Sequence, residues 1–462
     1  MSAQPLVIEQ VVNNDLCTGC GLCTYTCPSK ALEMKFNDYG FLVPELTGAC
    51  DDDGSCITVC PFNPKPAEEV KDETAIADIF LTDGTKAHDK LGRLIGIYAA
   101  YSNEYRETSS SGGIATFIFD QLLDLGIVDH VFTVRSVAGG GAHYQYQLSS
   151  NKEELRSSSK TKYYPVTLAT VLPELDKLEG KVAVVGVACF VKAIRLAQHH
   201  NPNLKEKIPF VAGIICGGVK SSFFTEYLAS KTGTNLENIK NPEYRIKDAS
   251  STASNYSFGC TDNTNEEIKT IKMREVGDMW GTGLFKANAC DFCDDVVTEL
   301  ADISLGDAWL EPYSKDGKGT SVIITRSPLA DTLITEGMAN SELYIEAITP
   351  DTMRASQQGS YNHRHEGLYV RLKEAKKKGI NVSEKRYGKE KVSLDITMLQ
   401  KLRQRTRSES LIIWKKSKNA AIFDAEMKKT LKKLSFMTRV THIRRKGFKH
   451  FIERLISRIL RK

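Results

Sequence analysis

The chain has 462 residues, 41% of them hydrophobic and 26% charged. This is ordinary globular usage with room for two or three domains, so a disordered or fibrous chain is excluded. No apolar run approaches the ~18–20 residues of a membrane span, and the longest, such as Val182–Val187, have the length of buried strands.

The formal net charge of +5 hides a division. From Gly367 to Lys462 there are 29 Lys and Arg against 8 Asp and Glu, a net of +21, which leaves −16 for the remainder. A field of one sign attracts nucleic acid or anionic membrane surfaces. Residues Met1 to Asp15 carry no basic region, apolar core or cleavage site, so a secretory signal is not expected and the cytoplasm is the expected compartment. Seven of the twelve cysteines fall between Cys17 and Cys60. Without a leader, that density points to metal rather than to disulfides.

Cys17-Thr-Gly-Cys20-Gly-Leu-Cys23-Thr-Tyr-Thr-Cys27-Pro28 is a C-x2-C-x2-C-x3-C-P run. Three cysteines spaced by two aim their thiolates at one iron–sulfur cluster, and the fourth, before proline, serves a second. Gly19 and Gly21 let the backbone approach the sulfides. A structural zinc site would use two CxxC pairs and leave the triple spacing unexplained. A second copy has Cys50, Cys56 and Cys60-Pro61, with Asp53 where the spacing wants cysteine. Interleaving assigns Cys17, Cys20, Cys23 and Cys60 to one 4Fe-4S cluster, and Cys27, Cys50 and Cys56 to the other. Asp53 then either ligates the fourth iron through oxygen or leaves a three-iron cluster, because a carboxylate is the harder, poorer ligand there. The alternative is an acidic turn and a lost second cluster. Leu6 to Phe62 resembles bacterial-type two-cluster ferredoxins, with short strands around a turn at Asn37–Gly40.

Pro61, Pro64 and Pro66 and an acidic helical stretch from Ala67 to Phe80 read as a linker. Strands then alternate with helices: strands at Ile95–Tyr101, Val128–Val134, Val182–Val187 and Phe210–Ile215, and helices at Gly112–Leu125, Val171–Leu178 and Val191–His199. That alternation indicates an α/β domain with a mainly parallel sheet. The expected organisation is a small α+β ferredoxin domain over 1–62, a linker over 63–93, the α/β domain over 94–366 and a basic helical tail over 367–462. No dinucleotide fingerprint or phosphate loop follows any strand, and no zinc-binding helix pattern occurs.

Cys189, Cys216 and the pair Cys290-Asp-Phe-Cys293 stand at element ends, the first two after apolar strands on the edge where open α/β sheets place their sites. Four such thiolates satisfy either zinc or an iron–sulfur cluster, and spacing alone leaves both open. Cys260 reads as a small buried hydrophobe.

From about Arg93 to Trp309 the chain resembles the family formed by the beta subunits of coenzyme F420 hydrogenases and dehydrogenases, with the ferredoxin fused in front. The resemblance is carried, in order, by Ser109-Ser-Ser-Gly-Gly113, Thr161-Lys162-Tyr163, Gly186-Val-Ala-Cys189-Phe, Cys216-Gly-Gly-Val-Lys-Ser221, Tyr244-Arg245-Ile-Lys247, and the stretch from Phe285 through Cys290 and Cys293 to Gly306-Asp307-Ala-Trp309. It implies an FAD-containing iron–sulfur oxidoreductase in which Cys189, Cys216, Cys290 and Cys293 ligate a further cluster beside the flavin. The chain departs from the family around these cysteines, with Val187-Ala188 before Cys189, Phe190 after it, and Gly217 and Lys220 after Cys216, so the cofactors are better marked than the substrate. The expected cofactor-binding set is Ser110, Ser111, Gly112, Gly113, Lys162, Gly186 and Asp307. The serine–glycine turn opens a helix and offers hydroxyls and N–H groups to a phosphate or flavin edge, though a plain N-cap reads the same. Lys162 suits negative charge on a reduced ring, or is a solvated base. Asp307 suits a ribityl or ribose hydroxyl, or is a turn aspartate. No residue stands out as general acid or base, as expected where the cofactor carries the chemistry.

In Phe448–Leu460 apolar residues recur at helical spacing among arginines, which reads as an interfacial helix for an anionic membrane surface, or as a helix docked on protein. Nucleic acid is not an expected partner, because no recognition module is present. The leading expectation is a cytoplasmic oxidoreductase, with peripheral membrane association through the tail as one option. It would pass electrons between a carrier or redox partner protein, the clusters and FAD, to or from a small organic substrate. The alternatives are a non-catalytic electron-transfer subunit, or adaptor, and a docking protein in cell-surface polysaccharide assembly.

Overall fold

The computed structural model of the chain describes residues 4–137, 141–262 and 265–447. At the N-terminus β1 (Leu32–Phe36) and β2 (Leu42–Leu46) form an antiparallel hairpin pairing Leu32 with Leu46. The Asn37 carboxamide closes its turn by accepting from the N–H groups of Tyr39 and Phe41. The two cysteine motifs build the same device twice. Short helices at Leu22–Thr26 and Ser55–Thr58 each begin after a left-handed glycine, Gly21 and Gly54, a conformation that costs glycine nothing.

The expected linker is not a free tether. Asp72 caps the helix Glu73–Phe80 by accepting from the Ala75 N–H, and the helix buries Ile76 and Ala77 in the main core. Lys192 bonds Glu73 at 2.9 Å with both side chains buried. A small hairpin, β3 (Lys86–His88) and β4 (Gly92–Leu94), follows.

Eleven further strands follow among the described residues: β5 (Ile97–Ser102), β6 (His130–Ser136), β7 (Tyr144–Ser149), β8 (Val182–Val187), β9 (Phe210–Ile214), β10 (Lys240–Ile246), β11 (Ser257–Asp262), β12 (Asn265–Lys272), β13 (Ile303–Asp307), β14 (Ser321–Thr325) and β15 (Leu343–Ala347). β10, β11 and β12 form a separate antiparallel sheet, and the other eight form one sheet in the order β15-β5-β14-β13-β9-β8-β6-β7. Its centre, β13-β9-β8-β6, is parallel. β14 and β15 are antiparallel to β5, β14 is antiparallel to β13 and β7 to β6, so β5 runs with the parallel set. The expected α/β sheet is present, bordered by antiparallel strands. The apolar run of β8, with Val182, Ala183 and Val184 buried, is covered by the helix Ala188–His200, as parallel centres are in α/β folds.

This arrangement sends the C-terminal ends of β5, β6, β8, β9 and β13 to one edge. The turn 109–113 follows β5, Cys189 follows β8, Cys216 follows β9, and Asp307 ends β13. That edge is the site.

The basic region is folded onto the body. The helices Leu368–Lys377, Leu394–Ser417 and Ala420–Lys446 are found there, the last two joined through Lys418 and Asn419, whose side chain caps the final helix by accepting from Ala421 and Ile422. Trp414 and Phe423 are buried with Tyr227 and Phe285 of the body. The interfacial helix expected over Phe448–Leu460 lies outside the described residues. Among those residues, no helix is long and apolar enough to cross a membrane.

Candidate functional site

The ferredoxin turn is pressed onto the body by backbone contacts. The Leu168 N–H donates to Cys20 O at 3.0 Å and the Ser222 N–H to Gly40 O at 2.9 Å. A Cβ on Gly21 would stand 2.2 Å from Thr167 Oγ1 and 2.8 Å from Ala169 N, so this glycine is required by close approach as well as by its positive φ.

The twelve predicted iron ligands gather in three groups. Cys17, Thr18, Cys20, Cys23, Met34 and Cys60 are among the residues lining one small cavity. Burial pushes the Cys17 thiol up to about 12, and Cys20 adds to the rise. Cys23 and Cys60 are raised well above the usual range, first by burial and then by Cys20 and each other's neighbours. In the second group burial raises Cys56, and Cys50, Asp53 and Cys27 add to the rise. The Asp52 N–H donates to Cys50 Sγ at 3.4 Å. Asp53 is thus beside Cys56, though solvent-exposed.

The third group is Cys189, Cys216, Cys290 and Cys293. Burial raises all four thiols, Cys293 to about 11, and each is raised further by others of the set. Donors surround them: Gly218 N–H to Cys216 Sγ and Val219 N–H to Cys290 Sγ, both at 3.2 Å, and Arg364 Nη1 to Cys293 Sγ at 3.4 Å. Gly217 packs under the Trp280 ring, where an added Cβ would lie at 2.9 Å. Among the described residues no three His, Cys, Asp or Glu side chains converge on a single-ion site.

Mutually repelling buried thiols are costly as thiolates unless cationic charge lies between them. The first and third groups therefore each fit an iron–sulfur cluster, whose irons supply that charge and whose sulfides accept the surrounding N–H groups. Thr18, in the wall of the first cavity, turns its side chain to the Cys189 thiol of the third group. The first and third groups adjoin. The buried Tyr146 phenol, already raised by burial, is raised further by Cys189 and by Cys20.

Of the residues expected to hold a flavin, the turn 110–113, Gly186 and Asp307 belong to this sheet edge. The Thr161 N–H donates to Ser110 Oγ at 2.9 Å, Ser111 Oγ to Thr320 O at 3.1 Å, and Gly112 N–H to Ser321 Oγ at 3.1 Å. These groups tie the turn to its neighbours, whereas Ser109 Oγ is buried with no partner. Gly113 is a left-handed N-cap without a side-chain cap. Lys247 Nζ bridges the carbonyls of Ser111 and Lys318 at 2.8 and 2.6 Å. Lys162 Nζ bonds Ser158 O, and burial, then Lys160, pulls its pKa to about 7. Asp307 pairs with Arg245 at 2.7 Å, and Arg245 Nε is a further buried donor without a partner. Tyr163 packs edge-on to Trp280 with centroids 4.7 Å apart. Gly186 is buried at the end of β8, three residues before Cys189, and pairs with Gly213. Buried polar atoms without partners at Ser109 and Arg245, and the edge-to-face Tyr163–Trp280 pair, are the features a bound cofactor would use here.

Sequence reasoning missed Arg364, Lys220 and Lys286. Lys220 donates to the carbonyls of Met279 and Leu284 while lying 4.5 Å from the Trp280 centroid. Lys286 pairs with buried Asp291 at 2.7 Å. Lys220 stands in a motif read for its cysteine, and Arg364 in a His-Arg-His stretch with no metal-ligand spacing.

Fold and site together define an iron–sulfur electron-transfer protein with a ferredoxin seated on an α/β body. Residues 97–173 match the N-terminal and 179–351 the C-terminal part of the coenzyme F420 hydrogenase/dehydrogenase beta subunit, and residues 16–64 match a 4Fe-4S dicluster domain. The chain is 24% identical over 318 residues to one of the subunits of the F(420)H(2) dehydrogenase of Methanosarcina mazei, covering 65% of this chain and 78% of that one. It is 24% identical over 334 residues to the coenzyme F420-dependent sulfite reductase of Methanocaldococcus jannaschii, covering 69% of this chain and 46% of the relative. A chain of the F420-reducing [NiFe] hydrogenase complex from Methanosarcina barkeri superposes with a TM-score of 0.49 at 19% identity, over 65% of this chain and 98% of that one. The protein belongs to the family of the coenzyme F420 hydrogenase/dehydrogenase beta subunit, with a dicluster ferredoxin at its N-terminus.

Proposed function

We propose that the chain is an FAD-dependent iron–sulfur oxidoreductase that passes electrons between a carrier and a small organic substrate. The observation that carries this reading is the placement of the Cys189/Cys216/Cys290/Cys293 quartet, between the ferredoxin cysteines on one side and the Lys162, Tyr163 and Trp280 surface on the other. Cys17, Cys20, Cys23 and Cys60 would hold one 4Fe-4S cluster. Cys27, Cys50 and Cys56 with Asp53 would hold a second with one weak corner, or a 3Fe-4S cluster, and the quartet a third. When bound, clusters supply one-electron steps and a flavin supplies hydride chemistry.

The chain's own groups set the conditions. Ser109 and Arg245 present unpartnered donors. Burial holds the Lys162 amine near pH 7, so it would offer positive charge to a reduced ring below that pH and withdraw it above. Tyr163 and Trp280 exclude water beside Cys216. The names of the relatives make a deazaflavin coenzyme the first substrate to test. A second reading, an electron-transfer component with no turnover of its own, is favoured by the name of one relative, which records it as part of a larger dehydrogenase.

Anaerobically purified protein, analysed for iron, sulfide and flavin and then mixed with reduced coenzyme F420, tests the proposal. About twelve irons and one FAD per chain, with bleaching of the visible cluster bands on mixing, are expected. Iron near eight with no flavin would contradict the oxidoreductase reading. Full cofactor content with no bleaching would leave the chain an electron-transfer component or direct the search to another substrate.

A further inference from the structure

The helices Leu368–Lys377 and Leu394–Ser417 border an open cleft of about 270 Å³ that the site does not use. Its buried lining includes Phe292 and Arg407, and its exposed lining includes Lys378, Lys401 and Arg405. Phe292 stands between Cys290 and Cys293 in the chain. It packs in one apolar group with Cys23 and Cys60 of the first ferredoxin set and Cys27 and Cys56 of the second. The cleft therefore reaches the apolar cluster that also holds cysteines of both ferredoxin groups, at a residue between two cysteines of the third.

Its charge is unbalanced. Arg407 is held inside by Asp291 at 3.2 Å and Asn288 at 2.6 Å. Glu374 is the acid of the lining, shared by Lys377 at 3.2 Å and Lys401 at 3.5 Å. Arg405 pairs with Glu409 at 2.6 Å. Lys373, Lys376 and Lys378 are exposed with no acidic partner among the described residues. These cations all lie outside the stretches 16–64, 97–173 and 179–351 that match the family.

We propose that this cleft docks an acidic one-electron carrier protein and brings its redox centre against the Phe292 turn. The proposal rests on the cluster reading above. An open cleft rimmed by long exposed cations buries little of a small ligand, as a pocket for one must. It does match the field of an acidic protein surface, which such a rim attracts and orients. The step is one electron: the reduced carrier is oxidised, a cluster of this chain is reduced, and no bond or proton is exchanged.

The test uses the full, iron-loaded chain and the double variant K378E/K401E, matched for iron content and visible spectrum. Cluster reduction is followed by stopped flow with a reduced, strongly acidic bacterial ferredoxin at low ionic strength, and separately with a zwitterionic viologen of no net charge. The ferredoxin rate constant is expected to fall at least ~10-fold in the variant, and to fall with salt in the wild type. K378Q/K401Q should give an intermediate loss, and the viologen rate should be the same in all three. A ferredoxin rate that neither salt nor the reversal alters, with normal viologen reduction, overturns the docking proposal alone. Wild-type protein that neither reductant reduces overturns the cluster reading beneath it. Equal ferredoxin rates, with phosphatidylglycerol vesicles bound by the wild type and not by the variant, would overturn the proposal and assign the cleft to an anionic membrane.

Discussion

Arg364 is the only described arginine whose guanidinium meets a quartet thiol: Nη1 donates to Cys293 Sγ, while Nη2 donates to Cys216 O. A cation so placed favours the more negative, reduced state of anything the quartet holds. Arg364→Gln is expected to lower the midpoint potential of that centre on the order of 60 mV or more, from a charged hydrogen bond worth about 1.5–3 kcal/mol. Arg364→Lys should recover part of the loss. Redox titration by electron paramagnetic resonance at equal iron content checks this, and an unmoved potential would show the cation uncoupled. Lys162 gives a pH signature. Burial holds its pKa near 7, so the folded chain binds fewer protons there than the unfolded chain from about pH 7 up to the free lysine value near 10.4, and the site loses its cation as pH rises through 7. With the proposed flavin bound, its midpoint should acquire an added pH dependence around 7 that Lys162→Met abolishes, read by spectroelectrochemistry. The two residues differ in how far the sequence exposed them. Lys162 sat in a recognised motif, whereas Arg364 gains its role only when a turn more than 60 residues away folds against it.

Among the elements, the strands read best were those with continuous apolar runs. β8 occupies Val182–Val187 as expected, and β9 ends one residue short of the expectation. β7 (Tyr-Gln-Tyr-Gln-Leu-Ser) and the polar β10–β12 sheet carried no such run and went unread, since edge and half-exposed strands are decided by their partners more than by their own composition. Composition misled in the C-terminal region, where dense Lys and Arg concealed a buried stripe. Trp414, Phe423 and Met427 pack with Phe285 and Tyr227, and Trp414 Nε1 donates to Glu226 at 2.7 Å. Trp414→Ala should cost about 3–5 kcal/mol, measured by denaturant unfolding. A chain ending at residue 393 should not yield a soluble body, and a well-folded truncated protein would contradict this packing. The former linker is held by Glu73, whose carboxyl stays well below the usual range because the attraction of Lys192, Arg386 and Lys385 outweighs the burial that opposes it. The unfolded chain therefore binds the extra proton as pH falls through about 4, and the stability held by this pair declines from there and is lost as pH falls through the far lower folded value. Glu73→Gln should be less stable at neutral pH and show a shallower acid transition by circular dichroism.

For the whole molecule, the ferredoxin, the helix Glu73–Phe80, the α/β body and the basic helices form one packed assembly. The cysteine spacings marked which cysteines gather into groups, and chain order placed Cys189 and Cys216 at the strand ends. Which groups would adjoin was not contained in either pattern. That depends on Gly21 fitting against Thr167 and Ala169, and on Tyr146 filling the space beside Cys20 and Cys189. This contact sets the first ferredoxin group next to the body quartet.

The contact is tested most directly by counting iron and observing spin coupling in anaerobically prepared wild type and Cys290→Ser. The wild type is expected to carry about twelve irons, or about eleven with a three-iron signal if the Asp53 corner is vacant. Its fully reduced electron paramagnetic resonance spectrum should be broadened by interacting centres. Cys290→Ser should lose about four irons while keeping the ferredoxin signals and losing the part of the broadening that the body centre contributes. Equal iron in the two proteins, with an unchanged spectrum, would show that the quartet holds no cluster and would contradict the account.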